Sequence, residues 1–529
     1  MDKFSELLDD LYFTNSNLAK ELILTHYLRN TPDPDRGWAL AAIAGTLTFD
    51  LFKRNLIKSL MMERMDPFLF DVSRHYVGEM SETVALAWPQ SKTPVRLNRL
   101  PQLHEVIAEF KSRDKDGIRD YLIVLLDNMT PAQRWALLKL GTRGLRIGMS
   151  ARTVKLTLAK MKGADVDEIE RIWHGLNAPY TELFAWIEGR ADLPDMSGIV
   201  TFSPVMLAHP LDDVKELPLI TSACHIAEWK WDGIRVQLAS TGEDTKVFSR
   251  KGEDISAAFP DLAAAVDFRG VIDGELIVRP DGEIGSFNDL QQRLNKKKPT
   301  KALMAKLPAH VMAYDIIEWQ GENLRALPLS ERRRHLEQAV AHSESDRFEI
   351  SALLDFETPD DLRALREQAA KTGGLIEGIM IKNRTSAYVS GRPKQGWYKW
   401  KRDPFLIDAV LMYARRGTGR RSSYYSDYTF GLWNDDGVLL PIGKAYFGFT
   451  DEELKRIDNW VRSHKLARFG PVQEVEKDLV FEIAFDAAQE SPRHKSGYAL
   501  RFPRIHRIRW DKPALEADKL SSLVKLVGQ

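Results

Sequence analysis

The stretch EWKWDGIR, residues 228–235, carries more information about the fold and chemistry of this chain than any other segment. Glu228, Lys230 and Asp232 alternate along it, so an extended strand would project all three side chains from one face. Gly233 gives the backbone freedom to turn beside them. Lys230 is the candidate nucleophile of this cluster. Taken alone, the same residues also fit a surface hairpin with an Asp-Gly turn.

A lysine amine attacks only after it has lost its proton. Burial, the neighbouring cation Arg235 and a bound metal ion would each favour the neutral form of Lys230. The pattern Lys-x-Asp-Gly-x-Arg therefore favours nucleotidyl transfer, in which Lys230 attacks a nucleotide phosphate and carries it covalently.

Two glutamates lie inside apolar segments rich in β-branched residues. VIDGELIV (271–278) contains Glu275, and GLIEGIMIK (374–382) contains Glu377. An unpaired carboxylate in such surroundings is costly, so each glutamate needs a partner. A buried salt bridge is one explanation. A Mg²⁺ site is the other, because Mg²⁺ binds a few protein carboxylates together with phosphate oxygens and waters.

A lysine pair follows in WYKWKRD (397–403), where Lys399 and Lys401 lie on one face of a predicted strand among aromatic residues. An edge strand kept from aggregating by its lysines would show the same pattern. The alternative is a group of cations that stabilises the charge developed during phosphoryl transfer.

These segments belong to a longer series in a fixed order. After residues 228–235 come SRKGE (249–253), VIDGELIV, AYDI (313–316), EGIMIK (377–382), WYKWKRD and RFPRIHRIRWDK (501–512). Together they resemble the motif series of the ATP-dependent DNA ligases, within the wider covalent nucleotidyltransferase superfamily. The resemblance covers nearly the whole chain, because the part before the first motif resembles the helical DNA-binding domain of that family.

The resemblance implies a role for each motif. Lys230 would receive AMP from ATP, while Glu228 and the segment PVML (204–207) would border the adenine. Asp232 would contact the nucleotide or the DNA end. Glu275 and Glu377 would hold Mg²⁺. The other nucleotide contacts implied are Arg235 and Arg250 to ribose or phosphate, Glu275 to the ribose, Tyr314 to the base, Lys382, Lys399 and Lys401 to the α-phosphate, and Arg509 and Lys512 to the β- and γ-phosphates.

The segment patterns predict a multidomain protein. Residues 1–195 are expected to form an all-α DNA-binding domain, and residues 200–403 an α+β nucleotidyltransferase (adenylation) domain. Short strand-like segments from residue 404 to 529 suit a small β-barrel, and the resemblance implies an OB-fold. A linker is expected within residues 191–204, where proline, glycine and serine interrupt the helical pattern.

Helical periodicity in the first domain is clearest over residues 4–12, 96–112 and 129–140. Thr130 and Gln133 form a predicted capping box, with Pro131 at the first helical position. Ser150 is predicted to cap the next helix, leaving amides free to bind phosphate.

Two arginine-containing segments are candidate DNA contacts. GTRGLRIGM (141–149) carries Arg143 and Arg146, and it resembles a DNA-contacting element of the ligase N-terminal domain. RRGTGRRSSYYSDY (415–428) carries Arg415, Arg416 and Arg420 among glycines and tyrosines, a composition that suits contacts with a DNA backbone. Arginines that cap nearby carbonyls, or that simply line a solvated surface, would give the same patterns.

Composition limits the class of protein. The chain has 529 residues, of which 44% are hydrophobic and 28% charged, with a formal net charge of zero, as in ordinary globular proteins. Cys224 is the single cysteine, which excludes an intramolecular disulfide and a four-cysteine zinc site. NAD-dependent ligases normally carry such a zinc module, so they are disfavoured. The longest nearly apolar run, 38–47, is too short to span a bilayer.

The resemblance implies an enzyme that uses ATP and Mg²⁺ to seal nicked double-stranded DNA through three phosphoryl transfers. We expect a cytoplasmic monomer, nucleoid-associated when bound to DNA and independent of membranes, with accessory repair proteins as possible partners. An RNA ligase or capping-type nucleotidyltransferase is the first alternative, but it would not need the helical N-terminal domain. A noncatalytic nick-binding protein is the second, disfavoured because the candidate lysines and glutamates are all present. Replication, repair and recombination share this chemistry and stay open.

Overall fold

The computed structural model describes residues 1–77, 79–142, 144–196, 198–296, 298–372, 375–394, 396–416, 424–469, 472–491 and 494–527. It divides the chain into two compact units, Met1–Ser197 and Gly198–Gln529. The division falls within residues 191–204, the segment in which proline, glycine and serine interrupt the helical pattern. Each unit is described by itself.

The first unit is helical, as predicted. Its helices are α1 (Asp2–Phe13), α2 (Asn17–Asn30), α3 (Asp35–Ala44), α4 (Arg54–Arg64), α5 (Pro67–Val77), α6 (Met80–Ala87), α7 (Leu103–Ser112), α8 (Lys115–Asn128), α9 (Pro131–Thr142), α10 (Ala151–Lys162), α11 (Val166–Trp173) and α12 (Thr181–Ile187). One apolar core runs through the unit, with Leu8, Leu24 and Leu137 among its fully buried members. The helix predicted over residues 96–112 begins only at Leu103.

The two predicted helix caps are confirmed. The backbone N–H of Thr130 donates to Gln133 Oε1 at 2.8 Å, and the Gln133 N–H donates back to Thr130 Oγ1 at 3.4 Å. Ser150 Oγ accepts from the Thr153 N–H at 3.1 Å at the start of α10. Each cap satisfies helix N–H groups that would otherwise lack an intrahelical partner.

The second unit is rich in β-structure. Its strands are β1 (His209–Pro210), β2 (His225–Trp231), β3 (Ile234–Ser240), β4 (Thr245–Ser249), β5 (Gly270–Val278), β6 (Ala309–Trp319), β7 (Glu322–Asn323), β8 (Phe348–Ile350), β9 (Leu353–Leu354), β10 (Ile376–Asn383), β11 (Trp397–Lys401), β12 (Phe405–Arg416), β13 (Tyr425–Trp433), β14 (Leu439–Ala445), β15 (Lys465–Phe469), β16 (Val472–Val475), β17 (Val480–Phe485), β18 (Ala487–Glu490), β19 (Tyr498–Arg501) and β20 (Arg504–Arg509). Its helices are α13 (Pro260–Ala263), α14 (Phe287–Leu294), α15 (Lys301–Lys306), α16 (Leu329–His342), α17 (Pro359–Ala370), α18 (Asp451–Ser463) and α19 (Leu520–Val527).

Two sheets form the part of this unit that carries the first motifs. A five-stranded sheet has the order β1-β11-β10-β2-β9, and a six-stranded sheet has the order β4-β3-β5-β6-β7 with β8 beside β6. The helix α16 packs against β6 and β8. Since β11 lies between β1 and β10, the explanation of its lysines as protection of an edge strand is wrong.

The C-terminal part is β-rich, as predicted. β14-β13-β12-β16-β15 are neighbours in order, and β17 pairs with both β12 and β20. β18 and β19 form a separate two-stranded ribbon. The helix α18 was not among the predicted elements; its apolar residues Leu454, Ile457 and Val461 are buried at helical spacing. The finer prediction of an OB-fold barrel stays a prediction.

The junction between β2 and β3 is a crossing between sheets. β2 pairs with β10 and β9, whereas β3 pairs with β4 and β5. The alternative of a surface hairpin at Asp232 and Gly233 is therefore wrong. Glycine is needed at the crossing because a Cβ on Gly233 would overlap the carbonyl oxygen of Leu276 and lie 2.8 Å from the Glu275 Cγ.

A buried ion pair stabilises the region where α16 meets β6. Asp315 accepts from Arg332 Nε at 2.8 Å and from Nη2 at 2.9 Å, and both side chains are fully buried. Arg332 Nη1 also donates to the carbonyl oxygens of Leu327 and Ser386, at 2.6 and 2.8 Å. The guanidinium thus joins the helix to two loops of the same unit.

We expect Asp315→Ala to lower the local free energy of unfolding by about 3 to 5 kcal/mol, because it leaves the Arg332 charge buried without a counter-charge. Native-state hydrogen exchange of the β6 amides measures this change. The control is Asp360→Ala, which removes an exposed partner of Arg363 on α17 and should leave β6 protection unchanged. Equal β6 protection in both variants would contradict the assigned role of the pair.

Candidate active site

A pocket of about 480 Å³ opens where the five-stranded and six-stranded sheets meet. It brings together most of the side chains that the motif series singled out. From the segment 204–207, Leu207 lines the pocket. The other predicted residues that line it are Glu228, Lys230, Asp232, Arg235, Arg250, Glu275, Tyr314, Glu377, Lys382, Lys399 and Lys401.

Lys230 lies near the end of β2, and its ammonium donates to Glu377 Oε2 on β10. Lys401 Nζ lies 3.3 Å from the same oxygen. Burial opposes ionisation of Glu377, but these two lysines outweigh it and lower the pKa of Glu377 to about 2. The Lys230 side chain keeps 22% of its exposure, so it is neither in bulk solvent nor closed off from a ligand.

Glu275 on β5 faces the same pocket in a different electrostatic state. Burial raises the pKa of Glu275 to about 8, and the nearby Lys230 and Arg235 only partly oppose it. Within the described part of the chain, its carboxylate makes no hydrogen bond or ion pair with a side chain. The pocket therefore contains a carboxyl group that no side chain of the described residues binds.

The cations at this end of the pocket repel one another. Burial, followed by the charges of Arg392, Lys230, Lys401 and Arg250, lowers the pKa of Lys399. Arg250 is exposed at the rim, after β4. An anion placed among these groups would relieve the repulsion.

The opposite end of the pocket is aromatic. The rings of Tyr314 and Trp397 meet edge to face, with centroids 6.3 Å apart. Arg235 lies beside both rings and is held by Asp273, to which Nε and Nη2 donate at 3.0 and 2.6 Å. Its Nη1 donates to the carbonyl oxygen of Met206 at 2.6 Å, which fixes the 204–207 segment at the pocket wall.

Glu228 is buried at this aromatic end between two cations. Arg333 Nη1 on α16 donates to Glu228 Oε1, and Lys382 Nζ on β10 donates to Oε2 at 2.5 Å. Lys382 also lies 4.4 Å from the Tyr314 ring centroid and 4.6 Å from that of Trp397. Its ammonium is thus committed to Glu228, and its predicted contact with an α-phosphate stays a prediction.

The C-terminal motif reaches the pocket through some residues and not through others. Arg501, at the end of β19, pairs with Asp232 and lines the pocket. Arg509 and Lys512 are not among the lining residues. Both bind Asp408 Oδ2 instead, at 2.9 and 2.7 Å.

The candidate DNA contacts are only partly described. Arg146 is exposed in the loop before α10 and has a left-handed backbone, with φ of 49°. Arg415 and Arg416 end β12, where the Arg416 guanidinium lies 5.6 Å from the Tyr425 ring centroid. Arg143 and Arg420 lie outside the described residues.

Sequence reasoning missed three residues: Arg501, which lines the pocket, and Asp273 and Arg333, which bind residues that line it. Asp273 precedes Glu275 by two positions in the same apolar run, and that spacing was a usable signal. Arg333 carried no such signal, because its helix reads as an ordinary charged surface. Arg501 opens the C-terminal motif 501–512 but was not singled out within it.

Comparison with known proteins identifies the family. Residues 205–401 match the model of the ATP dependent DNA ligase domain, and residues 421–512 match that of the ATP dependent DNA ligase C terminal region. A probable DNA ligase of Koribacter versatilis is 33% identical over 423 residues, covering 75% of this chain and 73% of the relative. The chain belongs to the ATP-dependent DNA ligases.

Other relatives of this ligase agree. A DNA ligase of Natronomonas pharaonis is 31% identical over 421 residues, covering 78% of this chain and 75% of the relative. A solved structure named "Pmar-Lig_Pre." has a TM-score of 0.60 at 18% sequence identity and covers 96% of this chain and 99% of that one. This second likeness concerns the fold alone, a helical N-terminal region followed by β-rich parts.

The pocket of this ligase fits the Mg²⁺ that its family uses. No side chain of the described residues binds Glu275, and Glu377 faces the same space, so a divalent cation would find carboxylate oxygens there. No group of three or more His, Cys, Asp or Glu side chains in the described ranges could hold a metal. Sparse protein ligation is what Mg²⁺ shows when phosphate oxygens and waters complete its shell. Bound there, it would neutralise phosphate charge.

The helices were also compared with the length and apolar character of a membrane-spanning helix. Among the helices that the structure describes, none combines the length and apolar character needed to cross a bilayer.

Glu275 predicts a pH dependence of stability in the absence of divalent cations. Between its ordinary pKa of 4.5 and about 8, the folded protein holds a proton on Glu275 that the unfolded chain has released. The free energy of unfolding therefore falls as pH rises through this window. Glutamine does not ionise, so Glu275→Gln removes this fall in the free energy of unfolding. The variant should be more stable than the wild-type protein by roughly 2 to 4 kcal/mol at pH 8.5 and about equally stable at pH 4.5.

Thermal unfolding in EDTA at several pH values measures the difference. The control is Glu322→Gln, an exposed glutamate on β7. A stabilisation by Glu275→Gln that does not grow between pH 4.5 and 8 would contradict the raised pKa.

Proposed function

We propose that Lys230 is the residue of this ligase that becomes adenylated, and that the pocket around it holds ATP with the base at the aromatic end. The neutral Lys230 amine attacks the α-phosphorus, the new N–P bond forms as the bond to the β-phosphate oxygen breaks, and pyrophosphate leaves. AMP then passes to the 5′-phosphate at a DNA nick. The adjacent 3′-hydroxyl displaces AMP and seals the strand.

The observation that carries this proposal is the polarity of the pocket. One end gathers Lys230, Lys399, Lys401 and Arg250, and burial together with the charges of its neighbours lowers the pKa of Lys399. The other end offers Tyr314 and Trp397 for a flat base. A nucleotide has this same polarity, with an anionic phosphate end and an aromatic base. Phosphoryl transfer depends mainly on positioning and on stabilising charge, which these cations supply.

The roles of the remaining predicted residues follow from their places. Glu275 and Glu377 would hold Mg²⁺, and Glu275 also faces the ribose. Arg235 is held by Asp273, so it would present the guanidinium edge to the ribose or phosphate without moving. Asp232, whose pKa is raised by burial, is tied to Arg501 and would contact the nucleotide or the DNA end rather than act as a base.

The domain organisation proposed is a DNA-binding domain over residues 1–195, an adenylation domain over 200–403 and an OB-fold domain over 404–529. Arg509 and Lys512 would leave Asp408 and grip the β- and γ-phosphates when the last domain closes over ATP. Such a closure gates the reaction and is not itself the chemistry.

Nicked duplex DNA is the substrate of the family. We propose Arg146, Arg415 and Arg416, with Arg143 and Arg420 beyond the described residues, as contacts with its phosphates. The proposal also includes action as a monomer in the cytoplasm, with the nucleoid as the place of action and accessory repair proteins as partners.

Labelling with α-³²P-ATP tests the nucleophile. The wild-type protein should retain label after denaturation, and Lys230→Ala should lose it by a factor on the order of 1,000 or more, because the attacking atom is gone. The control is Lys215→Ala, an exposed lysine outside the pocket, which should label normally. Retention of label in Lys230→Ala would refute the assignment, and nicked DNA and nicked RNA offered in competition would separate a DNA ligase from an RNA ligase.

A DNA-binding measurement tests Arg146. Arg146→Ala should weaken binding of nicked duplex DNA and reduce the slope of log Kd against log salt by about 1, because one phosphate contact is lost. Arg171→Ala, an exposed arginine on α11, serves as the control. An unchanged salt slope in Arg146→Ala would remove this residue from the proposed interface.

A further inference from the structure

The aromatic end of the pocket contains a carboxylate whose position is set from outside the motif series. Glu228 is almost fully buried, with 2% of its side chain exposed, yet it lines the pocket. Its two oxygens are bound by different cations, Oε1 by Arg333 and Oε2 by Lys382. The carboxylate therefore cannot rotate without breaking one of these charge-assisted hydrogen bonds.

Arg333 is itself fixed. Its Nη2 donates to the carbonyl oxygen of Ser351 at 2.6 Å, while Nη1 holds Glu228. The Ser351 hydroxyl accepts from the indole N–H of Trp231, at 3.2 Å, on the strand that carries Lys230. A planar guanidinium that bridges two acceptors fixes both distance and direction, which a lysine cannot do.

The held carboxylate still has capacity for a ligand. An ionised carboxylate accepts hydrogen bonds through about four lone-pair positions and donates none. Arg333 and Lys382 occupy one position on each oxygen, so the remaining ones can accept from a base. Adenine carries an amino group at C6, whereas guanine carries a carbonyl oxygen there. A fixed acceptor therefore distinguishes the two bases at C6.

We propose that Arg333 is a positioning residue for base selection, because it holds Glu228 where the carboxylate accepts from the C6 amino group of the nucleotide. This inference rests on the proposed function of the pocket and adds to it the residue that makes its base end selective. Arg333 acts through Glu228 and touches no reacting atom.

The test compares adenylation of the full-length enzyme by ATP and by purine riboside triphosphate, which lacks any group at C6. Arg333→Met should lower kcat/KM for ATP about 10- to 100-fold, mainly through KM, because a hydrogen bond to a charged group is lost. The value for purine riboside triphosphate should change far less. The ratio of the two thus reports the C6 contact, and a general loss of structure would lower both values together.

Three further variants complete the design. Arg334→Met removes the adjacent exposed arginine of α16 and should keep the wild-type ratio. Arg333→Lys keeps a cation beside Glu228 and should recover part of the ATP preference. Arg333→Gln keeps hydrogen-bonding groups at the position, and it supplies the same measurement where the Met variant does not fold.

An unchanged ratio in Arg333→Met or, where that variant does not fold, in Arg333→Gln overturns the inference while leaving the proposed function intact. A wild-type enzyme that takes no label from ATP overturns the proposed function, and the inference with it. The inference is supported if the ratio of kcat/KM for ATP to that for purine riboside triphosphate falls in Arg333→Met or Arg333→Gln. The ratio should then recover in part in Arg333→Lys and stay at the wild-type value in Arg334→Met.

Discussion

The close approach of backbone strands around Lys230 is the constraint on which the pocket depends. Gly233 lets the chain pass from the five-stranded to the six-stranded sheet against Leu276, where a Cβ would not fit. Gly378, the partner of Lys230 across β2 and β10, has φ of 146° and no room for a Cβ beside the Trp400 carbonyl. Glu377 precedes it directly. Gly233 and Gly378 thus fix the backbone positions of Lys230 and of Glu377, the carboxylate that binds it.

Three glutamates line the pocket, and their surroundings differ. Glu228 lies between two cations, and Glu377 binds two lysines. Glu275 is bound by no side chain among the described residues, and burial raises its pKa to about 8. These differences divide the pocket by chemistry. A carboxylate with both oxygens held is a rigid acceptor, one that binds Lys230 orients an amine, and one without a partner attracts a cation.

Much of this arrangement could be read from the sequence, because its signals are local. The extended strand predicted through Glu228 and Lys230 is β2, and the Thr130–Gln133 box starts α9. The alternation of Glu228 and Lys230 on one strand placed both side chains in the pocket. Glycine and charge spacing suffice for such features, since each is decided within a few residues.

The rest depends on contacts between distant segments. Arg333 lies 105 positions from Glu228, on a helix in which three consecutive arginines look alike. Packing buries the first two, whereas Arg334 stays exposed. The commitment of Lys382 to Glu228, 154 positions away, is equally invisible in the run EGIMIK. Periodicity shows that a residue is on a face, but it does not show which partner lies opposite.

The partners of the C-terminal motif also could not be read from the sequence. Arg509 and Lys512 share one oxygen of Asp408, so two cations are balanced by a single carboxylate there, and Arg509 turns its other nitrogens to the exposed Asp511. The Asp408 side chain is only 10% exposed, so removing both cations would leave a buried charge without a partner, which is costly. A triphosphate, which carries several negative charges, would compete well for both cations. The proposed closure therefore depends on the triphosphate binding the two cations more strongly than Asp408 does.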